Sequence, residues 1–189
     1  MDATSFRHGL YDENFEKDAC GIGLVVNASK PSSHLIIQQG LEILKNLAHR
    51  SALGADGRTS DGAGLMTQIP DAFFRRELTR TLGADPLPAI GDYGVAQIFL
   101  PHATNSVEWV QRISTAAENY DLQLLATREV PTNSSVLGPL AQDIEPVIQQ
   151  MFFDQRRTTS QKFTDLEFQS RLSALRSWCE IGRASCRER

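Results

Sequence analysis

The sequence is short of cysteine and histidine and has no long apolar run, and each shortage removes a class of protein. Its 189 residues hold three cysteines, Cys20, Cys179 and Cys186. An odd number, with no CxxC pair and no histidine at ligand spacing, argues against a disulfide framework or a zinc site. The four histidines, His8, His34, His49 and His102, are scattered and suit surface or helix-end positions, so no bound metal is expected. No apolar stretch approaches the roughly 20 residues that span a bilayer. The opening MDATSFRHGLYDENFEKDA lacks the apolar centre of a signal peptide, and its acids argue against an organelle transit peptide. There is no surplus of basic residues either: net charge is −4 with both signs interspersed, which excludes a basic face for nucleic acid or an anionic membrane. No internal repeat or low-complexity segment occurs. A reducing cytoplasm is the expected compartment.

What is present is a hydrophobic content of 41%, enough for one sizeable core in one domain. GIGLVVN sets Ile22, Leu24 and Val26 in alternation, the pattern of a strand with one face buried. KPSS is a turn, and Ser32 or Ser33 can cap the helix that follows, where Leu35, Ile36, Leu41, Leu44 and Leu47 recur at helical spacing to about His49. HRSALGADGRTSDGAG has no period and reads as loop, and LMTQI as a short strand. Pro70 begins a helix, PDAFFRRELTRTLG, with Phe73, Phe74 and Leu78 on one side. After the linker DPLPAIG come a strand, YGVAQIFLP, a helix, NSVEWVQRISTAAENY, capped by Asn105 or Ser106, and a second strand, LQLLATREV. PTNSSVLGP connects to the strand EPVIQQMFF, and FTDLEFQSRLSALRSWCE closes as a helix with Leu166, Phe168, Leu172 and Leu175 inward. Trp109 and Trp178 fall on amphipathic helices as core residues. Strands interleaved with helices fit a layered α/β or α+β domain.

Two features could carry chemistry. In EKDACGIGLVVN, Cys20 stands at the front edge of an apolar run, and the glycine after it lets another group approach the backbone. A thiol has an ordinary pKa of about 8.5 and needs a base near neutral pH. Cutting the chain before Cys20 would supply one, since a new α-amino group has a pKa of roughly 7.7–8.0 on the same residue. Residues 1–19 would then be a propeptide. On spacing alone, an ordinary strand-edge cysteine explains Cys20 as well. The glycine-rich loop lacks GxxxxGK[ST] and GxGxxG, so tight turns beside a site suit it better than phosphate binding. Arg50, at a helix C-terminus, complements the helix dipole, and its sharper role would be to hold an anionic carboxylate near Cys20.

Three segments, LYDENFEKDACGIGLVVN, LEILKNLAHRSALGADGRTSDGAGLMTQIP and REVPTNSSVLGPLAQDIEPVIQQMFF, together resemble the N-terminal glutaminase domain of glutamate synthase large subunits. The resemblance runs in order over roughly residues 10–153 and more weakly to about 180. It implies a class II glutamine amidotransferase of the N-terminal nucleophile type: an α+β, four-layer αββα sandwich, incomplete here at its C-terminal side. Cys20 matches the nucleophile and Ala19–Cys20 the point of propeptide removal. The implied reaction hydrolyses L-glutamine through a cysteine thioester and releases ammonia, which the full enzyme adds to 2-oxoglutarate. FMN and an iron–sulfur cluster would belong to later domains, none of them in this stretch, with a small subunit or ferredoxin as electron partner. Arg50 matches the arginine of the family's HRG and is expected to line or buttress the site. Ser51 replaces its glycine, a departure that matters if the position needs positive φ or close backbone approach, and Ser60, where TGDGAG is typical, is a milder one. No Asn-Gly dipeptide, the family's oxyanion hole, occurs in the sequence, so these residues alone are expected to be inactive. The alternative is a non-catalytic interaction module with the same fold. The last ten residues, EIGRASCRER, lose the helical pattern and can be back-translated to a run that resembles a common short-read sequencing adapter. Residues 20–179 are therefore expected to be the amidotransferase part and 180–189 a non-native tail.

Overall fold

The computed structural model describes residues 21–28, 33–102, 105–156 and 162–186, with side chains up to residue 180. The expected propeptide, residues 1–19, and Cys20 lie outside the described residues. The chain divides into two units, Met1–Thr67 and Gln68–Arg189.

In the first unit, α1 (His34–Asn46) begins where the Ser33 side chain accepts the Leu35 N–H at 3.2 Å. A 3₁₀ turn, Ala48–Arg50, follows directly. Two expected strands are absent. Residues 21–27 and 65–69 take no regular structure, and Ile22, Leu24 and Val26 are 94%, 83% and 70% exposed. The reason is pairing. Alternation makes an amphipathic strand only where a neighbour accepts its N–H and C=O groups, and no ladder forms here among the described residues. Leu35 and Leu41 of α1 are likewise exposed, and Gly40 is its one buried residue.

The second unit contains the cores. Helix α2 (Asp71–Leu82) starts after Pro70 and stops at Gly83, whose φ of 80° is the left-handed cap that glycine adopts without strain. Strands β1 (Tyr93–Leu100), β2 (Leu122–Glu129) and β3 (Val147–Gln155) form an antiparallel sheet in the order β1-β3-β2. Helix α3 (Ser106–Glu118), capped by Asn105, joins β1 to β2. The connector expected before β3 holds a 3₁₀ turn, Ser134–Val136, and a single helical turn, α4 (Pro139–Gln142). Helix α5 (Asp165–Cys186) ends the described chain.

Strand β3 is last in sequence but central in the sheet, and its residues show why. Met151, Phe152 and Phe153 are all fully buried, which only a strand covered on both faces allows. Phe152 packs with Phe74 and Leu78 of α2, whereas Met151 and Phe153 pack with Ile113, Ala116 and Ala117 of α3 and with Phe168 and Leu175 of α5. A bulge between Leu124 and Ala126 of β2 shifts its register on β3. Leu125 and Ala126 therefore both join the α2 side. The unit is thus a helix–sheet–helix stack, mixed α and antiparallel β.

Three inward assignments change. Leu166 is 75% exposed because, two residues before the buried Phe168, it points to the opposite side of the first turn of α5. Trp178 and Phe73 are more than a third exposed. Phe73 stays on the rim of its core, with the guanidinium groups of Arg76 and Arg128 over its ring. The backbone of α5 runs on to Cys186, past the point where the residue pattern changes.

Candidate active site

The geometry around the residue after Cys20 comes from a match of two periods. A Cβ built on Gly21 would lie 2.9 Å from Leu47 Cδ2 and 3.4 Å from Arg50 Cδ, and one on Gly23 would collide with Ile43 Cγ2. Two residues of extended chain advance about 6.6–6.8 Å, and four residues of helix about 6 Å. Ile43 and Leu47 therefore meet Gly23 and Gly21 in turn, with the two segments running in opposite directions. The absence of side chains at 21 and 23 is what lets α1 lie against this backbone. The close approach expected at the glycine after Cys20 is present, and it sets the end of α1 and the Arg50 side chain beside that residue.

Arg50 closes the 3₁₀ turn, its N–H donating to Leu47 O at 2.9 Å. It is exposed, and among the described residues no carboxylate forms an ion pair with it. In the same turn His49 Nδ1 donates to Asn46 O at 2.8 Å, which fixes its ring at the helix end. Ser51 has φ −82° and ψ 136°, an extended conformation open to any residue, so serine in place of glycine costs nothing in backbone strain. Ser60 is also free of positive φ, since Asp121 is the one non-glycine residue described with it.

The loop after Arg50 is a set of tight turns, as its composition suggests. Asp56 accepts the N–H of Arg58 (3.1 Å) and of Thr59 (2.8 Å), and Thr59 Oγ1 donates to its second oxygen at 2.5 Å. Gly57, with φ 66°, turns the chain. Gly54 N–H donates to Thr59 O at 2.7 Å, and Leu53 bridges Ser60. Asp61 then reaches back nine residues, its Oδ2 accepting the Ala52 N–H at 3.0 Å. Sequence reasoning singled out Gly21 and Arg50 here, while Cys20 lies outside the described residues. The same reasoning missed Asp61, because a side-chain contact to a distant backbone group has no characteristic spacing.

A second gathering of ionisable groups lies in the other unit and is structural. Arg75 donates to Asp71 (2.9 Å), Asp85 (2.8 Å), Leu87 O (2.9 Å) and Pro88 O, which ties the linker after α2 to that helix. Tyr93, 3% exposed, donates to Asp71 Oδ1 at 2.9 Å. Arg75 holds the Asp71 carboxyl below its usual range, and the Leu87 N–H, followed by Arg75, does the same for Asp85. Burial first, then the Asp71 contact, pushes the Tyr93 hydroxyl up to about 12. With each strong donor and acceptor already engaged, the cluster is a clamp and not a reactive centre. In the same unit an open hollow of about 360 Å³ has its Asp92 and Lys162 paired to each other at 2.6 Å. Among the described residues no three His, Cys, Asp or Glu side chains gather as a metal centre, and no helix is long and apolar enough to cross a membrane.

Most of the chain is similar to known proteins. A family model described as glutamine amidotransferases class-II matches residues 20–186. The chain is 36% identical over 173 residues to a glutamate synthase [NADPH] large chain of Bacillus subtilis, covering 91% of this chain and 11% of that protein. It is 33% identical over 179 residues to a glutamate synthase [NADH] of Saccharomyces cerevisiae, covering 90% and 8%. It is 36% identical over 138 residues to a ferredoxin-dependent glutamate synthase 2 of Synechocystis, covering 72% and 9%. The chain spans about a tenth of the length of these curated relatives.

Proposed function

The chain belongs to the class II glutamine amidotransferases, and from that premise we propose that it is the glutamine-hydrolysing part of a glutamate synthase, with Cys20 as nucleophile. The observation that carries this reading is where the family match begins: at Cys20 itself, leaving residues 1–19 outside it as a removable propeptide would be. With Cys20 as N-terminus, its α-amino group takes the thiol proton. Sulfur attacks the side-chain carbonyl carbon of glutamine, the amino group returns a proton to the leaving nitrogen, and the C–N bond breaks to give ammonia and a thioester. Water then cleaves the thioester, releasing glutamate and restoring the thiol. Arg50, beside Gly21, lines this pocket and favours an anionic substrate group.

The sheet β1-β3-β2 is one of two in the complete αββα domain. Residues 180–189 are read as a non-native tail on their sequence, while the family match runs on to residue 186. In the whole protein the ammonia is added to 2-oxoglutarate, with FMN and an iron–sulfur cluster in other domains. Electrons come from a pyridine nucleotide, through a small subunit, or from ferredoxin.

The test is ammonia release from glutamine by a chimera in which residues 1–179 replace the matching segment of the Bacillus subtilis large chain. Activity, its loss in Cys20→Ala, and a mature N-terminus at Cys20 by mass spectrometry are expected. The 189-residue chain alone, which has no Asn-Gly oxyanion donors, should be slower by at least about 10²–10³-fold. Ammonia release that survives Cys20→Ala would overturn the assignment.

A further inference from the structure

Arg50 can serve a site beside Cys20 only if its backbone is held in place, and the two sides of that backbone are held differently. On the N-terminal side the helix end does the work: Arg50 N–H donates to Leu47 O at 2.9 Å and Ser51 N–H to Ala48 O at 3.2 Å. On the C-terminal side the chain leaves in an extended conformation at Ser51, whose N–H makes the last bond of the 3₁₀ turn. The next amide, Ala52 N–H, goes to Asp61 Oδ2 at 3.0 Å. Asp61 is itself brought there by the Leu53–Ser60 bridge and the Gly54–Thr59 hydrogen bond, which close the intervening loop.

We propose that Asp61 is a positioning residue for glutamine hydrolysis, its carboxylate anchoring the backbone after Arg50 so that the guanidinium stays beside Gly21 and the nucleophile. The proposal rests on the assignment of Cys20 and Arg50 to an amidotransferase site. A carboxylate suits the task because an ionised acceptor holds a backbone N–H more strongly than a neutral one. Asparagine offers a weaker acceptor at the same place, and alanine offers none. Asp61 acts on a residue that touches substrate and not on the reacting atoms, so its loss shows in KM more than in kcat.

Two measurements test this. In the 189-residue chain, amide hydrogen exchange at Ala52 should quicken in Asp61→Ala and less so in Asp61→Asn; unchanged exchange would show that the anchor does not exist. In the chimera, Asp61→Ala should raise the KM for glutamine about three- to tenfold with kcat nearly unchanged, and Asp61→Asn should recover part of the loss. The deciding readout is a double-mutant cycle. Asp61→Ala should add little once Arg50 is alanine, whereas the same effect in both backgrounds would mean that Asp61 does not act through Arg50. Ammonia release that survives Cys20→Ala would instead sink the assignment of the site, a result separate from either outcome at Asp61.

Discussion

Phe152→Ala should destabilise the second unit more than any exposed substitution, and the structure sets the size of the loss. Phe152 is fully buried at the centre of β3. Its ring meets Phe74 edge-on, with centroids 5.0 Å apart and planes at 79°, and Tyr93 at 6.5 Å. Leu78, Leu87 and Ala126 complete the cluster, so no side chain there can fill the vacated space without leaving its own contacts. Truncating a phenylalanine in such a place costs about 3–5 kcal/mol, against a total for a domain of about 5–15 kcal/mol. The expected drop in melting temperature is on the order of 10–20 °C. Urea and thermal unfolding of the 189-residue chain, followed by circular dichroism, measure it, with Ile90→Ala as control. Ile90 is 71% exposed and should change stability by less than about 0.5 kcal/mol. Should Phe152→Ala fail to fold, Phe152→Leu keeps more of the volume and should cost about 1–1.5 kcal/mol. A loss in Phe152→Ala no larger than that of Ile90→Ala would refute the two-faced core built around β3.

Three further outcomes are expected. A free tyrosine ionises near pH 10 and Tyr93 is pushed up to about 12, so the fold favours its neutral form. That contribution to stability is intact below about pH 10 and lost as pH rises through about 12; a late phase in the phenolate absorbance titration should vanish in Tyr93→Phe, and an unchanged titration would count against the contact. A Cβ at Gly94 would lie 2.6 Å from Leu172 Cδ1, so Gly94→Ala should cost about 1–3 kcal/mol in denaturant unfolding; adding Leu172→Ala should relieve the clash, and strict additivity would argue against it. Genomic sequencing across codons 179–189 should find a continuation other than EIGRASCRER, whereas those ten codons in genomic DNA would establish the tail as natural.

The four longer helices and the three paired strands were legible because their signals are local. Ser33 and Asn105 cap the helices they precede, Gly83 takes the left-handed stop, and Phe74 and Leu78 fall on one face four residues apart. The strand order was not legible. That β3 lies between β1 and β2 depends on pairings dozens of residues apart, although the run Met151–Phe153 does mark a strand buried on both faces. Residues 21–27 expose the opposite limit. Their alternation says which side chains would share a face and nothing about whether a partner strand is at hand.

The site divides in the same way. Cys20 and Arg50 stand out by residue type and by family resemblance, and Gly21 by its lack of a side chain. The spatial relation of Gly21 to Arg50 is encoded less openly, in glycines two apart on an extended segment and Ile43 and Leu47 four apart on a helix. Each spacing alone is ordinary, and only the near-equality of the two advances brings both contacts into register. A side chain added at Gly21 therefore acts on Leu47 at the end of α1 and on Arg50 together, whereas one at Gly23 meets Ile43. Gly21→Ala in the chimera should for that reason impair glutamine use while leaving the second unit's unfolding unchanged, and equal activity with and without the methyl would show that the contact does not reach the chemistry.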